Sequence, residues 1–481
     1  MSGSAREVAE APAAKRMKAS RPGESAPVDL SRGRRAGARV GATYAMPLRA
    51  LDADELRVHT KRLTMRPHDP FNRDPVVFDA WKRDERFLYV PRFYGVQHWG
   101  EAATDDTIVG DALDHAFAGA LTPPQVEAAA AVRAAFDDGA SGPRGGMLVL
   151  SCGMGKTVTS LAIICERGRR ALVLVHKTFL VEQWQERVRQ FVPGATVGCI
   201  KQNRIDCDAD IVIGMVQSIA LRDYGADVFA KFGTLVVDEA HHMSAPVFSR
   251  ALQRLPCRYV LALSATPERK DGMTNLLHYS MGPVLFKRER ERGEGVCVEL
   301  LVYDRPDKQK EITTRDGRPN LALMTNLAAA DPARTALVAA RLLELYAAGR
   351  CIIVLSERIQ QLQAIAEALV SARVPRDDFA FYIGKTPKEE RERAGERRVL
   401  LSTYSMSREG LDIPKLDTLV MATPVGNVEQ AVGRILRKHE GKQTPLVIDV
   451  VDPYSLFDSM RWKRIRWYRT QGYACDHARS A

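Results

Sequence analysis

No apolar run in this sequence approaches the ~18–20 residues that a membrane-spanning helix needs, so no bilayer-embedded role and no membrane partner are expected. The amino terminus is rich in Ala, Glu and Arg and holds no apolar segment of the secretory kind, so no such signal is expected. Cysteine is sparse and never paired as C-x-x-C. The eight residues stand singly at Cys152, Cys165, Cys199, Cys207, Cys257, Cys297, Cys351 and Cys475. That spacing argues against a zinc site or a disulfide framework and for a reducing, intracellular compartment. Acidic residues are outnumbered, 59 against 70 Lys and Arg, for a net charge of +11.

What is present is 481 residues, 45% of them hydrophobic, too many for one ordinary core and suited to two or three soluble domains. The charge sits at the ends. Residues 1–45 hold nine basic and four acidic residues, residues 456–481 hold six and two, and the body between is nearly neutral. Basic ends on a balanced body suit a polyanion such as nucleic acid, which binds with release of counterions. The plain alternative is that such ends only keep the chain soluble.

Residues 1–45, crowded with Ala, Gly, Ser, Pro and Arg and without apolar periodicity, are expected to be a disordered basic tail. Within it, Lys15-Arg16-Met17-Lys18 and Arg32 to Arg35 are candidate nuclear addresses. Residues 46–105 read as a small accessory domain, in which Phe87 to Gly100 is expected to be a strand followed by a turn. Its aromatics are assigned to a core rather than to base stacking. Leu121-Thr122-Pro123-Pro124-Gln125 opens a helix, with proline in the first turn.

Beyond it, apolar runs at 171–175, 211–213, 235–237 and 259–263 alternate with helical stretches. That is the pattern of a parallel sheet covered on both faces, and 106–290 reads as a first α/β lobe. Lys287 to Glu294, of mixed charge, is taken as the connector to a second α/β lobe, 291–455. Its apolar runs fall at 298–302, 351–355, 379–383, 399–401, 419–422 and 446–451. The last segment, 456–481, is expected to be a basic aromatic helix packed on the second lobe, with a smaller contribution to DNA contact.

Within the first lobe, Met147 to Thr157 reads M-L-V-L-S-C-G-M-G-K-T: an apolar run, a glycine-bearing turn, then Lys156-Thr157 leading into a helix. A nucleoside triphosphate needs strand, loop and helix in that order. Loop N–H groups and the positive helix end face the phosphates, Lys156 reaches the β and γ groups, and the Thr157 hydroxyl holds Mg²⁺. The usual first glycine of this pattern is Leu150 here, so the loop alone reads equally well as a plain strand-to-helix turn. Leu235-Val236-Val237 delivers Asp238 and Glu239 at the carboxyl end of a buried strand, where parallel sheets place their ligands. Asp238 suits Mg²⁺, and Glu239 suits orienting and deprotonating an attacking water. In the second lobe, Gln430-Ala431-Val432-Gly433-Arg434-Ile435-Leu436-Arg437 predicts a helix with Gln430, Arg434 and Arg437 on one face. Such a fork fits a triphosphate.

Gly153 to Thr157, Asp238-Glu239-Ala240-His241, Ser264-Ala265-Thr266 and Q-x-x-G-R-x-x-R (430–437) resemble motifs I, II, III and VI of superfamily 2 helicases, in the family's order. V-H-K-T-F-L-V-E-Q-W (175–184), L-S-A-T-P-E-R-K-D-G (263–272) and S-R-E-G-L-D-I-P (407–414) resemble the XPB-like branch. The closer likeness is to the DEAH helicases of nucleocytoplasmic large DNA viruses, poxvirus type included. Tyr89 to Gly95 resembles the element those proteins carry before the first lobe.

The resemblance implies two tandem RecA-like lobes closing on ATP and Mg²⁺. It implies adenine on Gln125, phosphates on Cys152, Gly153, Met154 and Gly155, and Gly410 and Asp412 lining the cleft from the second lobe. Ser264 and Thr266 would couple nucleotide state to grip. His176, Lys177, Gln217, Ser218, Ser356, Arg358, Ser402 and Thr403 would meet the sugar–phosphate backbone, which positions a strand without reading its sequence. The alternative for some of these is a cap on a helix or strand. Arg269-Lys270-Asp271 departs from the Arg-Glu-Asp of XPB proteins, at an element linked there to duplex unwinding.

The activity this implies is an ATP-dependent DNA helicase or translocase in viral transcription, repair or replication. It would be active as a monomer in a nucleus, a virion or a viral factory, with transcription or replication proteins as candidate partners. One alternative is an RNA helicase, against which stand the short C-terminal region and His176-Lys177-Thr178 in place of P-T-R-E-L-A. Another is a non-hydrolysing scaffold, which has no need of Lys156, Asp238, Glu239, Arg434 and Arg437 together.

Overall fold

Two large parallel sheets carry the chain in the computed structural model, which describes residues 35–480 except 69–75, 138–143, 152, 243–244, 266–267, 270, 290–294, 305–310, 316, 385, 409–412 and 438. Lys15 to Lys18 and most of the expected tail lie outside the described residues.

The first lobe is an eight-stranded sheet. From one edge its strands are Arg204–Ile205, Val197–Lys201, Ile211–Met215, Ala171–Val175, Thr234–Val237, Tyr259–Ser264, Arg144–Leu150 and Val284–Arg288. All pairs are parallel except the short Arg204–Ile205 hairpin. The central strands have little choice in the matter. Ala171–Val175 is buried at every position, so both its faces must be covered by helices, and a parallel sheet results. Because the strands run the same way, the phosphate loop, Asp238-Glu239 and Ser264 all emerge at one edge. The second lobe is a seven-stranded, wholly parallel sheet. Its order is Phe379–Tyr382, Val399–Thr403, Ile352–Ser356, Thr418–Met421, Leu446–Val451, Cys297–Val302 and Ala474–Ser480.

Four expectations are corrected. Arg35–Val40 and the start of Tyr44–Pro47, inside the stretch expected to be disordered, form antiparallel strands, because Ala38, Val40 and Tyr44 bury in the core that this region shares with the first lobe. Phe87 to Gly100 is a strand and then a helix, not a turn: Pro91 starts Arg92–Trp99 and Gly100, at φ +79, ends it. Lys287 and Arg288, expected to open the connector, instead end the edge strand Val284–Arg288 beside Arg144–Leu150, and 290–294 of the expected connector lie outside the described residues. The C-terminal helix is Ser455–Thr470 only. Gly472, at φ +74, turns the chain, and Ala474–Ser480 then pairs with the edge of Cys297–Val302.

The amino-terminal five-stranded sheet shares one hydrophobic core with the first lobe. Arg92 pins it there. Its buried guanidinium donates to Cys257 O at 2.7 Å and Leu255 O at 2.5 Å, and burial lowers its pKa to about 10. Asp105 pairs with Arg258 at 3.0 Å, and Tyr94 meets Tyr279 edge-on with ring centroids 4.9 Å apart.

Gly95 leaves no room for a side chain, since a Cβ there would lie 2.1 Å from Tyr44 Cγ. Gly95→Ala is therefore expected to cost about 1–3 kcal/mol by overpacking, read as a lowered thermal midpoint. Gly41→Ala, whose Cβ would meet nothing closer than 3.6 Å, should change it little. His59, at 2.6 Å from the Tyr94 hydroxyl, is pushed down from 6.5 to about 4 by burial and then by its neighbours His98 and Arg62. Between those values the folded chain holds fewer protons than the unfolded one. Stability is thus expected to be full above pH 6.5 and to fall as the pH drops toward 4. Thermal scans of His59→Asn should show a flatter dependence, leaving the share of His278, whose pKa burial also depresses.

Candidate active site

The candidate phosphate loop is built by two glycines. Gly153 and Gly155 take φ of +83° and +78°, a conformation that turns backbone N–H groups toward one centre and that side chains resist. Lys156 then begins the helix Lys156–Arg167, with Thr157 half-buried in its first turn. Lys156 Nζ donates to Leu150 O at 3.1 Å and lies 3.8 Å from Glu239 Oε1. Cys152 lies outside the described residues. Gln125 closes the loop from behind. Its Oε1 accepts from Thr122 N at 2.8 Å and its Nε2 donates to Met154 O at 3.1 Å. An adenine on Gln125 would have to displace the second bond.

Asp238 follows the strand Thr234–Val237 and is buried. Trp184 Nε1 donates to its Oδ2 at 2.9 Å, yet burial, and next the charge of Glu239, raise the pKa to about 6. Glu239 takes φ +47, strained for a residue with a side chain and of a kind that collects at functional sites. His241 Nδ1 lies 2.8 Å from Ser264 Oγ and 3.5 Å from Glu239 Oε2. Arg269 donates to Ala240 O at 3.2 Å while paired with Asp271 at 2.6 Å. Thr266 and Lys270 lie outside the described residues.

The expected helix bearing Gln430, Arg434 and Arg437 is not continuous. One α turn, Glu429–Val432, passes into a tighter 3₁₀ turn, Gly433–Leu436, and Arg437 leaves it extended at φ −69, ψ 140. Lys442 Nζ holds the Arg437 carbonyl at 2.8 Å. The common helical face is thereby lost, but the segment still meets the phosphate loop: a Cβ on Gly153 would lie 3.9 Å from both Arg437 Cγ and Gly433 O. Glu429 joins the same cleft. Burial and then the charge of Glu239 raise its pKa, while Lys156 lowers it. Gly410 and Asp412 lie outside the described residues.

The eight positions named for a sugar–phosphate backbone divide. His176, Lys177, Gln217, Arg358 and Thr403 reach the surface in whole or part. Gln217 Nε2 donates to His176 O at 3.0 Å, which joins two of them, and Arg358 Nε donates to Asn326 at 2.5 Å. Ser218, Ser356 and Ser402 are buried and spend their hydroxyls locally. Ser218 Oγ accepts from Gln202 N at 2.9 Å, Ser356 Oγ donates to Gln361 at 2.8 Å, and Ser402 Oγ donates to Tyr382 O at 2.6 Å. These three cap strands and turns. In the C-terminal helix, Arg464 is buried against Asp449, so only Arg461, Lys463, Arg466 and Arg469 remain on its basic side.

Trp184 and Glu429 escape a reading of the sequence as site residues. The signal for Trp184 is its place at the end of the V-H-K-T-F-L-V-E-Q-W run; for Glu429, its place beside Gln430. Among the described residues no cluster of three or more His, Cys, Asp or Glu forms a metal cage. A hard cation held by one carboxylate, a hydroxyl and the substrate's own phosphates is compatible with that.

Residues 119–269 match the family model "Type III restriction enzyme, res subunit", and 337–439 match "Helicase conserved C-terminal domain". The chain is 29% identical over 442 residues to L396 of Acanthamoeba polyphaga mimivirus, named as an ATP-dependent RNA helicase, covering 89% of this chain and 84% of that one. African swine fever virus QP509L, also named as an ATP-dependent RNA helicase, is 27% identical over 352 residues, 68% of this chain and 69% of that one. Helicase D10 of Escherichia phage T5 is 29% identical over 309 residues, 62% of this chain and 66% of that one. Matched in this order along two lobes that share one cleft, the two family models place the chain among the superfamily 2 helicases, ATP-dependent enzymes that act on nucleic acid.

Proposed function

We propose that the chain is a DNA helicase or translocase of the DEAH, XPB-like kind, serving transcription, repair or replication in a large DNA virus. The observation that carries it is the approach of Arg437 to Gly153, because it makes the ATP site a joint property of two lobes. The first lobe matches a family described as a subunit of a restriction enzyme, a class of enzyme whose substrate is DNA, which supports that substrate. The viral relatives support a virion or viral factory as the place of action. We divide the chain at 105/106, 290/291 and 455/456, and take the monomer as active, since one chain supplies both sides of the cleft.

In this reading the loop N–H groups and Lys156 hold the phosphates. Glu239 orients the attacking water and accepts its proton; Gln430, Arg434 and Arg437 stabilise charge on the transferring group. Asp238 and Thr157 offer the oxygen donors that fit Mg²⁺, which when bound draws charge from the β and γ phosphates. Trp184 fixes the carboxylate of Asp238. His241 and Ser264 tie Glu239 to the strand end before Thr266, a route from nucleotide to grip. His176, Lys177 and Gln217 in one lobe, with Arg358 and Thr403 in the other, stand at carboxyl ends of strands, so a nucleic-acid strand laid there would cross both lobes.

The names of the viral relatives favour a second reading, an RNA helicase. Matched DNA and RNA should separate the two: stimulation of ATP hydrolysis by DNA alone, with displacement of a tailed DNA duplex, is the expected result, and stimulation by RNA alone would replace the first reading with the second. Lys156→Ala and Glu239→Gln are each expected to lower nucleic-acid-stimulated hydrolysis by about 100-fold or more; normal turnover in either would sink the assignment. Arg437→Ala should bind a fluorescent ATP analogue normally yet lose about 1,000-fold in hydrolysis. Trp184→Phe keeps the ring but removes the donor to Asp238, so its hydrolysis should need about 10-fold more Mg²⁺, measured by titrating the metal at saturating ATP.

A further inference from the structure

The strand Thr418–Met421 ends in Ala422-Thr423-Pro424-Val425, a short turn before the segment that bears Gln430, Arg434 and Arg437. Buried side chains hold the backbone of this stretch. The Ala422 carbonyl accepts from Arg334 and from Gln361 Nε2, the Thr423 carbonyl from the Tyr404 hydroxyl at 2.8 Å, and the Val425 carbonyl from Arg464 Nη1 at 2.7 Å. Arg334 and Arg464 are fixed posts. Each forms a buried two-point pair, with Asp452 at 2.6 and 2.9 Å and with Asp449 at 2.8 and 2.8 Å.

Thr423 has a place of its own in this network. It is fully buried, and its Oγ1 accepts from the backbone N–H of Glu357 at 2.8 Å while its carbonyl accepts from Tyr404. Glu357 stands beside Arg358, and Tyr404 follows Thr403. The two strand ends with partly exposed candidate contacts to nucleic acid are thus both bonded to one residue, and that residue leads into the arginines of the proposed ATP cleft.

We propose that Thr423 is a positioning residue through which the second lobe couples nucleic-acid contact to the placement of Arg434 and Arg437, an inference that rests on the helicase reading above. A strand bound across Arg358 and Thr403 shifts or stiffens the ends at Glu357 and Tyr404. Because interior packing transmits displacement, Thr423 carries it to the arginine segment. Replacing Oγ1 by a methyl leaves the Glu357 N–H without its acceptor at nearly constant volume, which breaks the link and keeps the packing.

The test compares the full chain with Thr423→Val, Thr423→Ser and Tyr404→Phe, measuring ATP hydrolysis with and without single-stranded DNA. Thr423→Val is expected to keep the DNA-free rate and the KM for ATP, while its DNA-stimulated kcat falls about 5- to 10-fold. Tyr404→Phe should shift the same ratio in the same direction, and Thr423→Ser, which retains the acceptor, should restore it. Full stimulation of Thr423→Val overturns the proposal, as does a loss shared equally by the DNA-free and stimulated rates, which marks a purely structural residue. A wild-type chain that neither DNA nor RNA stimulates overturns the helicase reading, and this coupling with it.

Discussion

Two carboxylates on adjacent residues, one buried at the end of a parallel strand, are the constraint around which the first lobe is built. Asp238 and Glu239 repel each other, and the interior that encloses Asp238 disfavours its charge. The surrounding structure holds them all the same. Trp184 gives Asp238 a donor, Lys156 approaches Glu239, Arg269 grips the carbonyl of Ala240, and His241 is tied to Ser264. Glu239 is also kept at φ +47, a conformation the chain would leave if these contacts did not over-determine it. A negative site maintained against its own electrostatics is ready for a cation and for the positive groups that a second lobe brings.

The second lobe applies the same physics with the opposite sign. Arg334 and Arg464 are large cations with almost no exposure, and such burial is tolerated only where charge and hydrogen bonds are both satisfied. Each meets one aspartate at two points and spends a further N–H on a backbone carbonyl. The outcome is placement more than stability. A buried ion pair contributes little over an apolar pair of equal volume, but it fixes where the carbonyls of Ala422 and Val425 stand. The arginines at 434 and 437 follow from that fixed stretch, so in the proposed reading the C-terminal helix, through Arg464, would help to set the far wall of the ATP cleft.

The strands were legible because they are buried on both faces. A-L-V-L-V at 171–175 admits no amphipathic alternative, and the carboxyl ends of such strands located Lys156, Asp238 and Glu239 from the sequence alone. Charged edge strands gave no such signal. Lys287 and Arg288 read as the start of a mixed-charge connector but close the edge strand Val284–Arg288, since an edge strand needs cover on one side only and charge there guards against further pairing. Hydroxyl direction was equally hidden. Ser218, Ser356 and Ser402 hold motif positions, but each faces a local backbone or amide group that only the folded chain brings near. Arg464 read as one of a basic set on a helix; Asp449, which claims it, is distant in pattern if not in number. Arg437 left the expected helical face because the last turn tightens to 3₁₀, a choice that helix periodicity does not record.

The amino-terminal sheet completes the mechanical picture. Arg92 holds the carbonyls of Leu255 and Cys257, just before the strand Tyr259–Ser264 begins, and the His68 N–H donates to Asp271 O at 2.9 Å in the loop that follows that strand. The unit therefore grips the start of the strand that delivers Ser264 to His241, and the loop beyond it. Its core is continuous with that of the first lobe, so displacing it would expose apolar surface on both. It moves with the first lobe. In the proposed reading, the amino-terminal sheet would stiffen the half that holds the phosphates.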